Sequence, residues 1–157
     1  MPVRRVIDAP ELAGLGFEIL AGSDNLDSRR IKNPRIQKPG LALAGFLPYV
    51  KGGRLQIVGN SEYAYLRTLG DVEAIKRWFS LIDAGVPAIV SAKGIRPPDE
   101  VLEYCQERGV PFLLSSAATS VVISTISIFL ERELAPTLQI HGVLMDVFSM
   151  GTLIVGD

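Results

Sequence analysis

Apolar positions along the chain change their spacing several times, and each change marks an element. Val72, Ile75, Trp78, Phe79 and Ile82 recur at steps of three and one, a stripe that predicts a core-facing helix. Just ahead of it, Tyr63, Leu66 and Leu69 step by three, with Asn60 or Ser61 placed to cap that helix. Gly70 breaks it, Asp71 caps the next, and Gly85 stops the second. Residues 54–58, 87–91 and 110–114 are short apolar runs and read as strands. The last two are almost wholly apolar, as parallel strands covered on both faces are. Between them Pro97, Pro98 and Asp99 open a helix with Val101, Leu102 and Cys105 on one face, and Gly109 ends it. Residues 87–114 are therefore predicted to be a right-handed parallel strand–helix–strand crossover.

The two ends of the chain read differently. Asp8 is placed to cap a short helix, with Pro10 in its first turn and Gly14 or Gly16 at its end. A strand is expected at 17–20, then a polar turn region at 21–30. Pro39-Gly40 predicts a turn, and the mixture of Leu41, Leu43 and Phe46 with alanines leaves the period ambiguous. Thr119 or Ser120 caps a long helix reaching about residue 134. Its apolar residues surround most of the axis, which predicts burial on several sides or self-association. After Ala135-Pro136 the pattern turns to strand: 137–147, a turn near 149–151, then 152–155, with a bulge expected near Gly142. The predicted fold class is α/β: a mixed or largely parallel sheet with flanking helices, followed by a β-hairpin. The predicted domains are 1–135 and 136–157, the second too short to stand alone and read as the opening hairpin of a truncated further domain.

Composition narrows the function classes. The chain has 157 residues, 48% hydrophobic and 21% charged, which suits a folded domain and excludes a disordered one. A net charge of −1 removes the main electrostatic case for nucleic acid or an anionic membrane, and leaves little self-repulsion. One cysteine permits no internal disulfide and fits a reducing cytoplasm, the expected location. One histidine excludes a multi-histidine metal site within one chain. The N-terminus has no continuous apolar core of a signal peptide, and the longest apolar-rich stretch, residues 120–130, is too short to span a bilayer.

Several residues carry candidate chemistry. His141 alone has an ordinary pKa near neutrality, and is the acid–base candidate. Cys105, on an apolar helix face, reads as a buried thiol. Arg29, Arg30, Lys32, Arg35 and Lys38 form a basic run that reads as a solvated loop or an anion-binding surface. Asn60-Ser61 at a helix start reads as a cap or an anion site. Residues 151–157 run turn, apolar strand, Gly156-Asp157, the way a phosphate loop of the form G-x-x-x-x-G-K-(S/T) begins.

Four segments together resemble the HPr kinase/phosphorylase family. They are KPGLALAGF at 38–46, RLQIVGNSEYAY at 54–65, the stretch from Leu130 through Leu134-Ala135-Pro136, and HGVLMD at 141–146 running on to LIVGD at 153–157. The resemblance implies the N-terminal portion of a bifunctional enzyme. Such an enzyme phosphorylates a serine of HPr, a carrier protein of the sugar phosphotransferase system, using ATP or pyrophosphate with Mg²⁺, and removes the phosphate by phosphorolysis. It implies His141 as a catalytic residue, and Gly156 and Asp157 as the opening of the nucleotide-binding loop. The loop lysine and the metal-binding carboxylates would lie beyond residue 157, so this chain by itself is expected to be inactive, with no cofactor bound. It further implies a hexameric homo-oligomer. Phe148-Ser-Met-Gly151 departs from the tighter glycine-rich turn of the family. The alternative reading is a regulatory ligand-binding or protein-interaction module without catalytic activity.

Overall fold

Three strands of three residues each organise the chain. A computed structural model describes residues 1–136, 142–147 and 150–155. Strands β2 (Gln56–Val58), β3 (Ile89–Ser91) and β4 (Phe112–Leu114) pair in parallel, and β1 (Glu18–Ala21) adds antiparallel to β4, giving the order β1-β4-β3-β2. The sheet is mixed, as expected. Side chains alternate across it. Leu55, Ile57, Val90 and Leu113 face one core, while Val58, Ile89 and Phe112 face the other. Both cores are buried, so the strands are apolar on both faces.

Each core is closed by its own helices. On one face lie α1 (Arg4–Asp8), the 3-10 turn Pro10–Leu15 and α6 (Thr119–Glu133). On the other lie α2 (Gly40–Leu43), α3 (Asn60–Thr68), α4 (Asp71–Asp83) and α5 (Asp99–Arg108). Trp78 of α4 fills the centre of this second core, in contact with the rings of Tyr63 and Phe112 at 5.8 and 5.9 Å.

The structure corrects several expectations. Asp8 ends a helix and does not cap one. Pro10 disfavours the helical region for Ala9, whose extended backbone separates α1 from the 3-10 turn. Pro39-Gly40 opens the one-turn α2 and is not a free turn. Along α4 the buried residues are Trp78, Leu81 and Ile82, whereas Val72 is exposed. A step of three falls roughly 60° short of a full turn, so the predicted stripe drifts off the core face towards the N-terminus. α6 buries one face through Val122, Ile126, Phe129 and Leu130, and leaves Val121 and Ile128 exposed.

Strands β5 (Gly142–Val147) and β6 (Met150–Val155) form a separate antiparallel pair. Their register runs unbroken from Gly142↔Val155 to Val147↔Met150, so no bulge occurs at Gly142 within the described ladder. Met150 and Gly151, expected in the turn, already pair with Val147 and Asp146. Among the described residues, a register shift lies in β1, between Ile19 and Ala21.

Gly22 tests how closely the β1 end packs. Its φ is +71°, and a Cβ there would sit 2.7 Å from Pro111 N and Val110 O. Gly85, φ +76°, has no atom within 4 Å of such a Cβ. Gly22→Ala is expected to cost about 3 kcal/mol through combined strain and overlap, and Gly85→Ala about 1 kcal/mol through strain alone. Urea midpoints of the two variants check this, and equal losses would contradict the packing argument.

Candidate functional site

The polar groups of the fold gather at the C-terminal ends of the parallel strands, where open α/β sheets present their ligand crevices. Two of the sequence segments singled out above meet there. Lys38 Nζ lies 3.1 Å from Glu62 Oε1 and donates to Ser61 Oγ at 3.1 Å. Glu62 Oε2 accepts from the Gly59 backbone N–H at 2.9 Å and from Ser61 Oγ at 3.1 Å. The Glu62 carboxylate is buried and caps the start of α3, while Lys38 reaches it from the half-exposed side. Asn60-Ser61, read as a cap or an anion site, is thus part of a capped helix start whose N-cap is Gly59. A Cβ at Gly59 would sit 2.8 Å from Thr119 Oγ1, so α6 begins directly against this turn.

Beside it, Tyr63 OH lies 2.9 Å from Ser91 Oγ, and Ser91 donates to the Ile95 carbonyl at 2.5 Å. Burial pushes the Tyr63 phenol up from 10.0 to about 12, against a smaller lowering from the Ser91 hydrogen bond. It therefore remains a neutral hydroxyl that locks the β3–α5 loop. This loop and helices α3 and α4 line a cleft of about 510 Å³. Its floor is Leu66, Ile75 and Trp78, and its rim carries Arg67, Asp71, Arg96 and Glu100. Each rim charge answers something nearby. Asp71 and Glu100 sit in the first turns of α4 and α5, Arg67 in the last turn of α3, and Arg96 pairs with Glu18 at 3.0 Å.

The basic run does not form one patch. Arg29 donates to the carbonyls of Gly109 at 2.8 Å and Arg108 at 2.6 Å, closing the C-terminal end of α5. With Arg30 and Lys32 it lines a cavity of about 520 Å³ beside Gly53 and Gly85. Lys38 is engaged elsewhere, with Glu62. The basic residues in this cavity stand by helix C-terminal ends, whose partial negative charge disfavours a bound anion.

Cys105 is buried, and burial pushes its thiol up from 9.0 to about 12. It is a packing residue and not a nucleophile. Phe79 stacks on Tyr104 at 3.9 Å, and Trp78 is core. His141, Gly156 and Asp157 lie outside the described residues. Sequence reasoning missed the Lys38–Glu62 pair and the Tyr63–Ser91 lock. Both pairs lie more than 20 positions apart, which no local period reveals, although Lys38 and Glu62 each fall within a segment quoted above. Among the described residues no helix is long and apolar enough to cross a membrane.

Comparison with known proteins adds the following. A family model described as HPr Serine kinase N terminus matches residues 2–130. An HPr kinase/phosphorylase of Shouchella clausii (strain KSM-K16) is 38% identical over 140 residues, which cover 89% of this chain and 45% of that protein. The chain therefore spans less than half the length of this relative. Among solved structures, it is similar in fold to the CBS and DRTGG domains of the regulatory region of a Clostridium perfringens pyrophosphatase complexed with its activator, diadenosine tetraphosphate. The TM-score is 0.54 at 12% identity, covering 80% of this chain and 48% of that one.

Two predictions come from the buried polar groups. Glu62→Ala strands the Gly59 N–H and unpairs Lys38, and is expected to cost about 2–3 kcal/mol; Glu62→Gln, which keeps an acceptor, costs less than half of that. Chemical denaturation of both variants checks the order. The second concerns pH. Unfolded Cys105 and Tyr63 ionise from their ordinary values of 9.0 and 10.0, while the folded groups hold their protons to about 12. The folded chain then binds more protons than the unfolded one, so stability falls as pH rises through this window. Urea midpoints measured between pH 8 and 11 should decline, and Cys105→Ala should flatten the decline.

Proposed function

The chain belongs to the family of HPr serine kinase N-terminal domains, and from that premise we propose that it is the N-terminal portion of a bifunctional HPr kinase/phosphorylase. The observation that carries this is the match over residues 2–130, which takes in both cores of the α/β domain. In the proposed reaction a serine hydroxyl of HPr attacks the terminal phosphoryl group of ATP or pyrophosphate, and ADP or phosphate leaves. In the reverse direction phosphate attacks phosphoserine, giving pyrophosphate and the free hydroxyl. Catalysis of this kind rests on positioning and charge stabilisation.

The division of labour follows from the residues. The thiol of the α/β domain is unreactive. Among the described residues, no three His, Cys, Asp or Glu side chains gather to hold a metal ion. We assign residues 1–135 a supporting role and residues 136–157 to the catalytic domain. His141 is assigned to orient the reacting groups, and Gly156 and Asp157 to open the loop that cradles phosphate. When bound, Mg²⁺ would neutralise charge on the transferring group. Its ligands, and the remaining nucleotide contacts, are assigned to parts of the parent protein other than the α/β domain. The same proposal includes a cytoplasmic location and a hexameric assembly.

Full-length protein carrying this chain is expected to transfer phosphate from ATP or pyrophosphate to a serine of HPr, and the 157-residue chain alone to transfer none. His141→Ala in the full-length protein should lower kcat by about 10²-fold or more, with thermal unfolding unchanged. Radiolabel transfer measured by gel checks both. Undiminished transfer by His141→Ala would remove that residue from the site, and a full-length protein inert towards HPr would remove the reading itself.

A further inference from the structure

The cleft between α3, α4 and the β3–α5 loop carries chemistry that the kinase reading does not use. Its volume of about 510 Å³ falls within the range of about 300–1,000 Å³ typical of small-molecule sites. The floor is apolar. Leu66 and Trp78 are only 4% and 1% exposed, and Ile75 and Ile95 are half-buried. The loop wall is fixed in place by the fold. The Ile95 carbonyl lies 2.5 Å from Ser91 Oγ and 3.2 Å from Tyr63 OH, and Pro97-Pro98 stiffen the backbone that follows. A site held this way loses little freedom when a ligand enters.

The rim carries one cation and one anion on each side. Arg67 and Asp71 stand where α3 gives way to α4, and Arg96 and Glu100 where the loop gives way to α5. Each pair is four positions apart, the spacing at which opposite charges close on each other along a helix. Here Gly70 and Pro97-Pro98 interrupt the helices, and neither pair closes. Among the described residues Arg67, Asp71 and Glu100 form no ion pair, and Arg96 holds only the exposed Glu18. A helix end supplies about half a charge, so these side chains keep hydrogen-bonding capacity for a further partner.

We propose that this cleft binds a small zwitterion with an aliphatic side chain, an α-amino acid of the leucine type. Its carboxylate is taken by Arg67 and Arg96, its ammonium by Asp71 and Glu100, and its side chain by the apolar floor. Charge complementarity selects this class. The four rim charges sum to zero, so a phosphate or nucleotide would meet two carboxylates, and a polyamine two guanidinium groups. A ligand that carries both charges meets neither repulsion. The inference concerns an activity other than phosphoryl transfer and does not depend on it.

Titration of the 157-residue chain with leucine tests it. Trp78 is the only tryptophan, so its fluorescence reports on the floor of the cleft, where leucine itself does not emit. A saturable change in emission is expected, with a matching calorimetric Kd of about 1 mM or tighter. Three analogues separate the parts: glycine lacks the side chain, 4-methylpentanoate the ammonium, and 3-methylbutylamine the carboxylate. Each is expected to bind at least about tenfold more weakly. Arg67→Gln and Glu100→Gln should each weaken leucine about tenfold. Ala74→Phe, which fills the cleft, should abolish binding. Far-ultraviolet circular dichroism verifies folding, and the analogue series on the unaltered chain is decisive without any variant. No saturable response at concentrations about tenfold above that Kd overturns the inference. Either single-charge analogue binding as tightly as leucine overturns it too, and so does leucine binding that none of the three variants weakens.

Discussion

Coverage of both faces of three short parallel strands is the constraint on which the structure depends. A three-residue strand contributes few ladder bonds, so β2, β3 and β4 are held by what packs above and below them. Alternation of side chains sends Ile57 and Val90 to one core and Val58 and Ile89 to the other, which requires a helical layer on each side. The two crossovers from β2 to β4, together with α2, supply one layer. The chain ends of the domain, α1 and α6, supply the other. The polar consequences gather at the strand ends, where the backbone leaves the sheet. Buried Glu62 satisfies Gly59, and Tyr63 with Ser91 ties down the loop after β3.

Legibility in the sequence follows the range of each interaction. The apolar runs at β3 and β4 and the helices between and around them were readable, because strand and helix periods are local. The α/β class and the mixed sheet came with them. Helix α2 was not readable: its single turn is too short to show a period, and Gly40 at its start offsets the helix preference of Leu41, Ala42 and Leu43. The drift of the α4 stripe was a matter of geometry, since three-residue steps imitate a helix period while rotating away from it. The Lys38–Glu62 pair is long-range and left no local mark. Of the candidate site residues, Cys105 was placed correctly by its apolar helix face, whereas the basic run was misread as one unit because adjacency in sequence is not adjacency on a surface.

This division bears on how function is distributed. The α/β domain spends its reactive side chains on structure: the thiol is packed, the phenol locks a loop, and the buried carboxylate caps a helix. A phosphoryl-transfer site needs donors aimed at developing charge, held in place but not consumed by the fold. Glu62 and Arg29 are consumed in this sense, and their engagement supports the proposal that phosphoryl-transfer chemistry is not carried by this domain.

Net charge, finally, is a sum that conceals arrangement. A value of −1 removes overall attraction to polyanions, yet the same chain carries +7 on one acid-free segment and −8 elsewhere. Such separation is rarely needed for folding, since exposed ion pairs contribute little stability. Interspersed charges would also keep the surface soluble with less risk of association. The fold does disperse the charges of that segment: Arg29 closes the C-terminal end of α5, Arg30 and Lys32 line the cavity beside Gly53 and Gly85, and Lys38 holds the buried Glu62, so a run of like charge in the sequence becomes several separate structural contacts.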